Sequence, residues 1–255
     1  MANTDTREKS AGLVVRRELL DRLSRAGRVT EVSGPAGSGK SVLLRSWLDQ
    51  SGLADQAAQV RVQDEDRDPP RFWTAVTGAL RETAAGSALV RPVTATPDLD
   101  GWSAVERLLA DLSSLRDPIW LVIDDVHALG SADTVRQLEM FLTRAPARLR
   151  FVLASRPVLN LGLHRLRLEG ELTEIRAASL RFSRDEAGAL FEAAGIRLPE
   201  SALTRLHERT EGRAAAGGAV AGRAPRSGTV RGRIPRQRAH GSRVPAGRGL
   251  RAAER

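Results

Sequence analysis

Residues Gly34 to Ser41 read G-P-A-G-S-G-K-S, which satisfies the phosphate-binding pattern G-x-x-x-x-G-K-[ST] at every defined position. Glycines at 34, 37 and 39 allow backbone conformations closed to other residues, so successive N–H groups can turn inward around phosphate oxygens. The turn of Gly34, Pro35, Ala36, Gly37, Ser38 and Gly39 forms the cradle, Lys40 adds a point charge, and Ser41 offers a hydroxyl to Mg²⁺. Ser41 also opens a helix whose positive N-terminal end faces the same anions. Four constrained positions recur by accident in roughly 1% of chains this long at ordinary residue frequencies. The flanks argue against accident. Val29 and Val32 lie in a short strand over 28–33, and Leu43, Leu44, Trp47 and Leu48 share one face of a helix over 40–50 that Ser51-Gly52 ends. Strand, turn and helix follow in the order that an ATP site of this kind requires.

The next informative stretch is Ile119-Trp120-Leu121-Val122-Ile123, a continuous apolar run suited to burial on both faces of a parallel sheet. It ends in Asp124-Asp125. Alone, such a run is as well explained by a strand end followed by a capping acid. Placed after a phosphate loop it reads as a Walker B strand, with Asp124 holding Mg²⁺ beside Ser41 and Asp125 orienting an attacking water. A further buried strand over 149–154 ends in Ser155-Arg156. That is where Arg156 would sense a γ-phosphate, against the plainer account of a solvated loop arginine before Pro157. His127, in D-D-V-H, has no second His or Cys near it to complete a metal site. Packing or hydrogen bonding is its commoner role, and sensing of nucleotide or a partner is the alternative.

Composition narrows the class. The chain has 255 residues, enough to bury a proper core, and no cysteine, which excludes disulfides and thiolate metal sites and suits a reducing compartment. Met1 to Ser10 is polar, and no run of 18 apolar residues occurs, so the expected location is the cytoplasm, away from membranes. The net charge of +9 suggests a nucleic-acid binder until it is divided along the chain: residues 213–255 hold 11 Arg, no Lys and one acid, Glu254. That leaves 29 basic against 30 acidic residues in 1–212. The body is neutral, and the global charge says nothing about its partners.

The remaining elements follow from periodicity. A helix over 13–26 docks Leu19, Leu20 and Leu23 ahead of the core, and a strand is expected over 59–63 around Val60 and Val62. An acidic loop at 64–70 leads to a helix over 71–83 with Phe72, Trp73, Val76 and Leu80 inward, then a loop over 84–100. The next helix is expected to bury Trp102, Val105, Leu108, Leu109 and Leu112, and another spans 131–143. A fifth strand falls at 171–176, Ser183 to Glu186 forms a capping box, and a last helix runs from about 199 to 210. These give four segments: a disordered start at 1–10, an α/β P-loop core at 11–177, the start of a helical lid at 178–212, and a disordered Arg/Gly/Pro-rich tail at 213–255.

The series R-R-E-L-L-D-R-L, the P-loop with Trp47 after it, D-x-x-R-D-P-P-R-F-W at 64–73, L-V-I-D-D-V-H, F-V-L-A-S-R and L-T-E-I-R-A-A-S-L-R-F-S-R-D-E-A resembles, in that order, the ATPase domain of the large LuxR-family, MalT-like regulators. These belong to the STAND class of P-loop NTPases. The resemblance covers roughly residues 10–212. It implies a three-layer α/β sandwich with a parallel sheet in the order 5-1-4-3-2, followed by helical and winged-helix modules. It implies an ATP- and Mg²⁺-dependent nucleotide switch with slow hydrolysis, oligomerisation on ATP binding, an inducer read by downstream repeats, and DNA bound by a C-terminal helix-turn-helix.

The family continues W-A-A-G-L after H-E-R-T-E-G, whereas here Arg213 opens the basic tail. The expectation is therefore the front of a regulator, truncated before its sensor repeats and DNA-binding domain. Residues 236–250, read one frame over with suitable synonymous codons, yield an amphipathic helical sequence, which suggests a frameshift near Arg213. Sequencing the gene tests it. Two other classes stay open: a P-loop enzyme such as a small-molecule kinase, which needs an acceptor pocket and an Arg-rich lid, and a nucleic-acid binder acting through the tail.

Overall fold

A computed structural model describes residues 14, 16–63, 68–92 and 100–213. The expected disordered start at 1–10 lies outside them, as does the tail from residue 214 onward. Five parallel strands form the centre: β1 (Val29–Ser33), β2 (Ala57–Arg61), β3 (Ile119–Asp124), β4 (Leu149–Ser155) and β5 (Leu172–Ile175). Their order is β2-β3-β4-β1-β5, the arrangement that the family resemblance implied.

Parallel strands need covering on both faces. In β3, Ile119, Leu121 and Ile123 enter the larger core while Trp120 and Val122 enter the smaller one, so the unbroken apolar run is explained by two buried faces. The smaller core is closed by α1 (Arg17–Ser24) and α2 (Lys40–Ser51). Trp47 of α2 stacks edge-on against Trp120, with centroids 4.9 Å apart, and its indole N–H donates to Ser24 Oγ of α1. The larger core is closed by α3 (Pro69–Arg81), α4 (Ala84–Leu89), α5 (Gly101–Leu112) and α6 (Ala132–Arg144). Here Phe72, Trp73, Phe141 and Phe151 form an edge-to-face chain, and the buried Trp73 N–H is satisfied by Gln137 Oε1 at 2.8 Å. A short α7 (His164–Leu168) precedes β5, and α8 (Arg184–Ala193) and α9 (Glu200–Thr210) follow it.

Several expectations are corrected. The second strand is Ala57–Arg61, two residues earlier than the Val60/Val62 alternation placed it, because its pairing with β3 starts at Ala57 opposite Trp120. The expected loop over 84–100 begins with α4, capped by Thr83 Oγ1 accepting from Gly86 N, while residues 93–99 lie outside the described part. Trp102 is 37% exposed and Leu109 only half-buried: at the start of α5, Gly101 and Ala104 face the core instead. The capping box is present as read, with Ser183 and Glu186 bonded reciprocally. Among the described residues no helix is long and apolar enough to cross a membrane.

Candidate nucleotide-binding site

The sheet order puts the C-terminal ends of β1, β4 and β3 side by side, so Ser33, Ser155 and Asp124 finish at one edge. The loop that leaves β1 is the one carrying Gly34 to Lys40. Gly37 and Gly39 adopt positive φ (75° and 86°), as a backbone curled inward requires. At Gly34 a Cβ would sit 2.9 Å from both Leu180 Cδ1 and Ser38 Oγ, so a side chain there would displace those two side-chain ends. Lys40 is buried at the first turn of α2, where its ammonium donates to the carbonyls of Gly34 at 2.6 Å and Pro35 at 3.2 Å. Burial lowers its pKa, attraction to Asp124 and Asp125 opposes this, and repulsion by Arg156 adds to it. The four side chains therefore share one electrostatic field.

Ser41 and Asp124, 83 positions apart, meet directly: Ser41 Oγ donates to Asp124 Oδ2 at 2.6 Å. Asp124 Oδ1 accepts from the N–H of Asp125 at 2.9 Å, which fixes the carboxylate plane. Asp125 itself has φ 58° and ψ 35°, a left-handed conformation that Asp tolerates better than most residues. This turn sends its side chain away from Asp124, to Arg61 Nε at 3.3 Å. The chain then coils through residues 126–128, bringing His127 Nδ1 to 3.9 Å from Asp125 Oδ1. His127 Nδ1 is buried and makes no hydrogen bond, as is true of Ser155 Oγ at the end of β4. A cavity of about 500 Å³ opens here, lined by Arg61, Gln63, Asp125, His127 and Arg156 among others.

The residues singled out from the sequence, Gly34, Pro35, Ala36, Gly37, Ser38, Gly39, Lys40, Ser41, Asp124, Asp125 and Arg156, come together at one sheet edge. Two neighbours of the site and one buried residue behind it were not legible. Arg61 meets Asp125 only because β2 pairs with β3, opposite Asp124. Leu180 leans on Gly34 from a turn that Arg16 holds, through Nη1 to Leu180 O at 2.9 Å and Nε to Glu186 Oε1 at 3.1 Å. Glu31, in β1, gave no signal in an otherwise ordinary strand.

A family model described as an AAA ATPase domain matches residues 13–154. The chain belongs to the AAA ATPase domain family. This AAA ATPase domain is 30% identical over 209 residues to the HTH-type transcriptional regulator MalT of Yersinia enterocolitica, a match covering 80% of this chain and 23% of that protein. It is 31% identical over 215 residues to the serine/threonine-protein kinase PknK of Mycobacterium tuberculosis, covering 81% and 19% respectively. The chain spans about a fifth of the length of these relatives. Among solved structures, a STAND protein with a tetratricopeptide repeat sensor from Pyrococcus horikoshii, PH0952, superposes with a TM-score of 0.55 at 15% identity, over 79% of this chain and 28% of that one. The fold is shared, and the MalT-like STAND resemblance read from the motifs is borne out.

Proposed function

We propose that this AAA ATPase domain binds ATP with Mg²⁺ as the nucleotide-switch module of a MalT-like transcriptional regulator. The observation that carries the proposal is the Ser41–Asp124 contact at 2.6 Å beside the Lys40 ammonium. A hydroxyl and a carboxylate oxygen, both hard donors, stand next to each other at the mouth of an anion-binding turn, and that donor set suits Mg²⁺. The ion, when bound, neutralises charge on the β- and γ-phosphate oxygens.

The chain's own residues supply the rest. The N–H groups of Ala36, Gly37 and Gly39 and of the start of α2 bind phosphate oxygens, while the N–H of Gly34 stays on the Ser155 carbonyl and anchors the turn to β4. Lys40 exchanges its loop carbonyls for the β- and γ-phosphates. Asp125, already turned toward the 500 Å³ cavity, orients water for slow hydrolysis, and Arg156 contacts the γ-phosphate. The helices over 178–212 are the start of a lid: Leu180 touches the phosphate loop directly, and Arg16 ties its turn to α8. In a longer chain, sensor repeats would read an inducer and a helix-turn-helix would bind DNA, in the cytoplasm, with ATP promoting oligomerisation. The 30% identity to the HTH-type transcriptional regulator MalT supports this reading.

The test is nucleotide binding to the full chain, with Mg²⁺, for wild type and Lys40→Ala. Loss of a charged hydrogen-bond donor is expected to weaken ATP about tenfold or more. Equal affinity in the two proteins overturns the assignment.

A further inference from the structure

Glu31 is a charged residue that the nucleotide site does not use, and it sits where charge is costly. It lies in the middle of β1, with its side chain 5% exposed. An unpaired carboxylate there would be strongly destabilising. Instead its Oε1 accepts from Arg176 Nη1 at 2.8 Å and from the backbone N–H of Leu159, also at 2.8 Å. Arg176, just past β5, donates as well to Ser33 Oγ at 3.0 Å and to Glu174.

The bond to Leu159 reaches the site. β4 ends at Ser155, whose carbonyl accepts from Gly34 N at 3.2 Å. The chain then passes Arg156, Pro157 and Val158 before Glu31 catches it again at Leu159. Only those three residues lie between the anchors, and Pro157 has its φ fixed by its ring. Arg156 therefore opens a short span pinned at both ends to the β1 segment. A pinned loop has less conformational entropy to lose when its arginine meets a phosphate than a free one has. Stability alone does not explain the device, since apolar residues often replace a buried ion pair without loss. An apolar residue, however, cannot accept the Leu159 N–H.

We propose that Glu31 is a positioning residue that, through Leu159, fixes the loop carrying Arg156, so that β1 presents both the phosphate loop and Arg156 to one γ-phosphate. This rests on the reading of Arg156 as the γ-phosphate contact. The test measures ATP and ADP affinities, each with Mg²⁺, on the full chain. ADP lacks the γ-phosphate, so its binding reports folding and the cradle, while the ATP-to-ADP affinity ratio reports Arg156. Arg156→Ala is expected to lower the ratio about tenfold. Glu31→Met, similar in volume but without an acceptor, is expected to lower it about threefold or more with ADP affinity retained, and to add little on top of Arg156→Ala. Glu31→Gln keeps an oxygen for Leu159 and is expected to keep the ratio. Should the methionine variant not fold, Glu31→Ala is read in the same way. A ratio unchanged by Arg156→Ala refutes the role of Arg156 itself. A ratio lowered by Arg156→Ala but not by Glu31→Met, or ATP and ADP weakened alike in Glu31→Met, overturns the positioning role while leaving that of Arg156 intact.

Discussion

Asp124 illustrates how one side chain is prepared before any ligand arrives. One oxygen accepts from Ser41 at 2.6 Å and the other from the Asp125 N–H at 2.9 Å, so its plane is set by the two neighbours that matter. Asp124→Asn keeps the shape and replaces one acceptor by a donor. Its expected effect is to remove most of the affinity that Mg²⁺ adds to ATP, about tenfold or more, while ATP binding in chelator changes little. Titrating both proteins with and without Mg²⁺ checks this. A Mg²⁺ gain retained in the variant would remove Asp124 from the metal site. The residues of the cradle were legible because their chemistry is local: glycine, lysine and serine at fixed spacing describe the turn by themselves. Arg61 and Glu31 were not, because their partners are Asp125 and Leu159, met only through sheet register and loop return.

At the scale of elements, strength of pattern decided what could be read. The reciprocal capping box at the start of α8 was plain in the sequence, and removing its serine hydroxyl leaves one helix-end N–H without its partner. Ser183→Ala is expected to lower stability by about 1 kcal/mol, read as a shift in the urea midpoint. No shift would mean that α8 unfolds independently of the core. In contrast, α4 was invisible because A-A-G-S-A-L has the composition of a loop. Its Gly86 is there for packing, since a Cβ would fall 1.9 Å from the Leu80 carbonyl oxygen at the end of α3. That requirement comes from a neighbouring helix and leaves no periodicity to find. The β2 boundary slipped for a similar reason: pairing with β3, rather than the Val60/Val62 alternation, fixes where it begins.

For the whole molecule, alternating apolar strands and helices announced a parallel sheet, but the order of its strands came from family resemblance and not from composition or spacing. Charge was legible once divided: residues 1–212 hold 29 basic against 30 acidic residues, and ion pairs within the described part set its response to acid. Glu174 is held below its ordinary 4.5, first by a hydrogen bond from Arg167 and further by Arg176, against the opposing effect of burial. Burial also works to raise Asp111, but bonds from the Arg91 side chain and backbone outweigh it, leaving the carboxyl below its usual value. Both groups bind fewer protons folded than unfolded, so their stabilisation is complete above the ordinary carboxylate range and is lost as pH falls through the folded values. Urea stability is expected to drop on acidification below 4.5, and the drop to be shallower in Glu174→Gln. An identical pH profile for the two proteins would show that this cluster does not contribute.

The place of β1 has a consequence for how the molecule comes into being. It is the first strand of the sheet along the chain, yet its neighbours on either side are β4 and β5, more than a hundred residues later. A nascent chain that has emerged only as far as β3 can pair β2 with β3 but has nothing to flank the strand bearing the glycine-rich turn. Such distant pairings close long loops, at a cost that grows only slowly with length, and they slow folding. Gly34 gains its Ser155 partner and its Leu180 neighbour only after that closure. On the proposed reading, the cradle is complete only once β4 and the turn of Leu180 have been made, so a half-synthesised domain offers no finished site to the nucleotide pool around it.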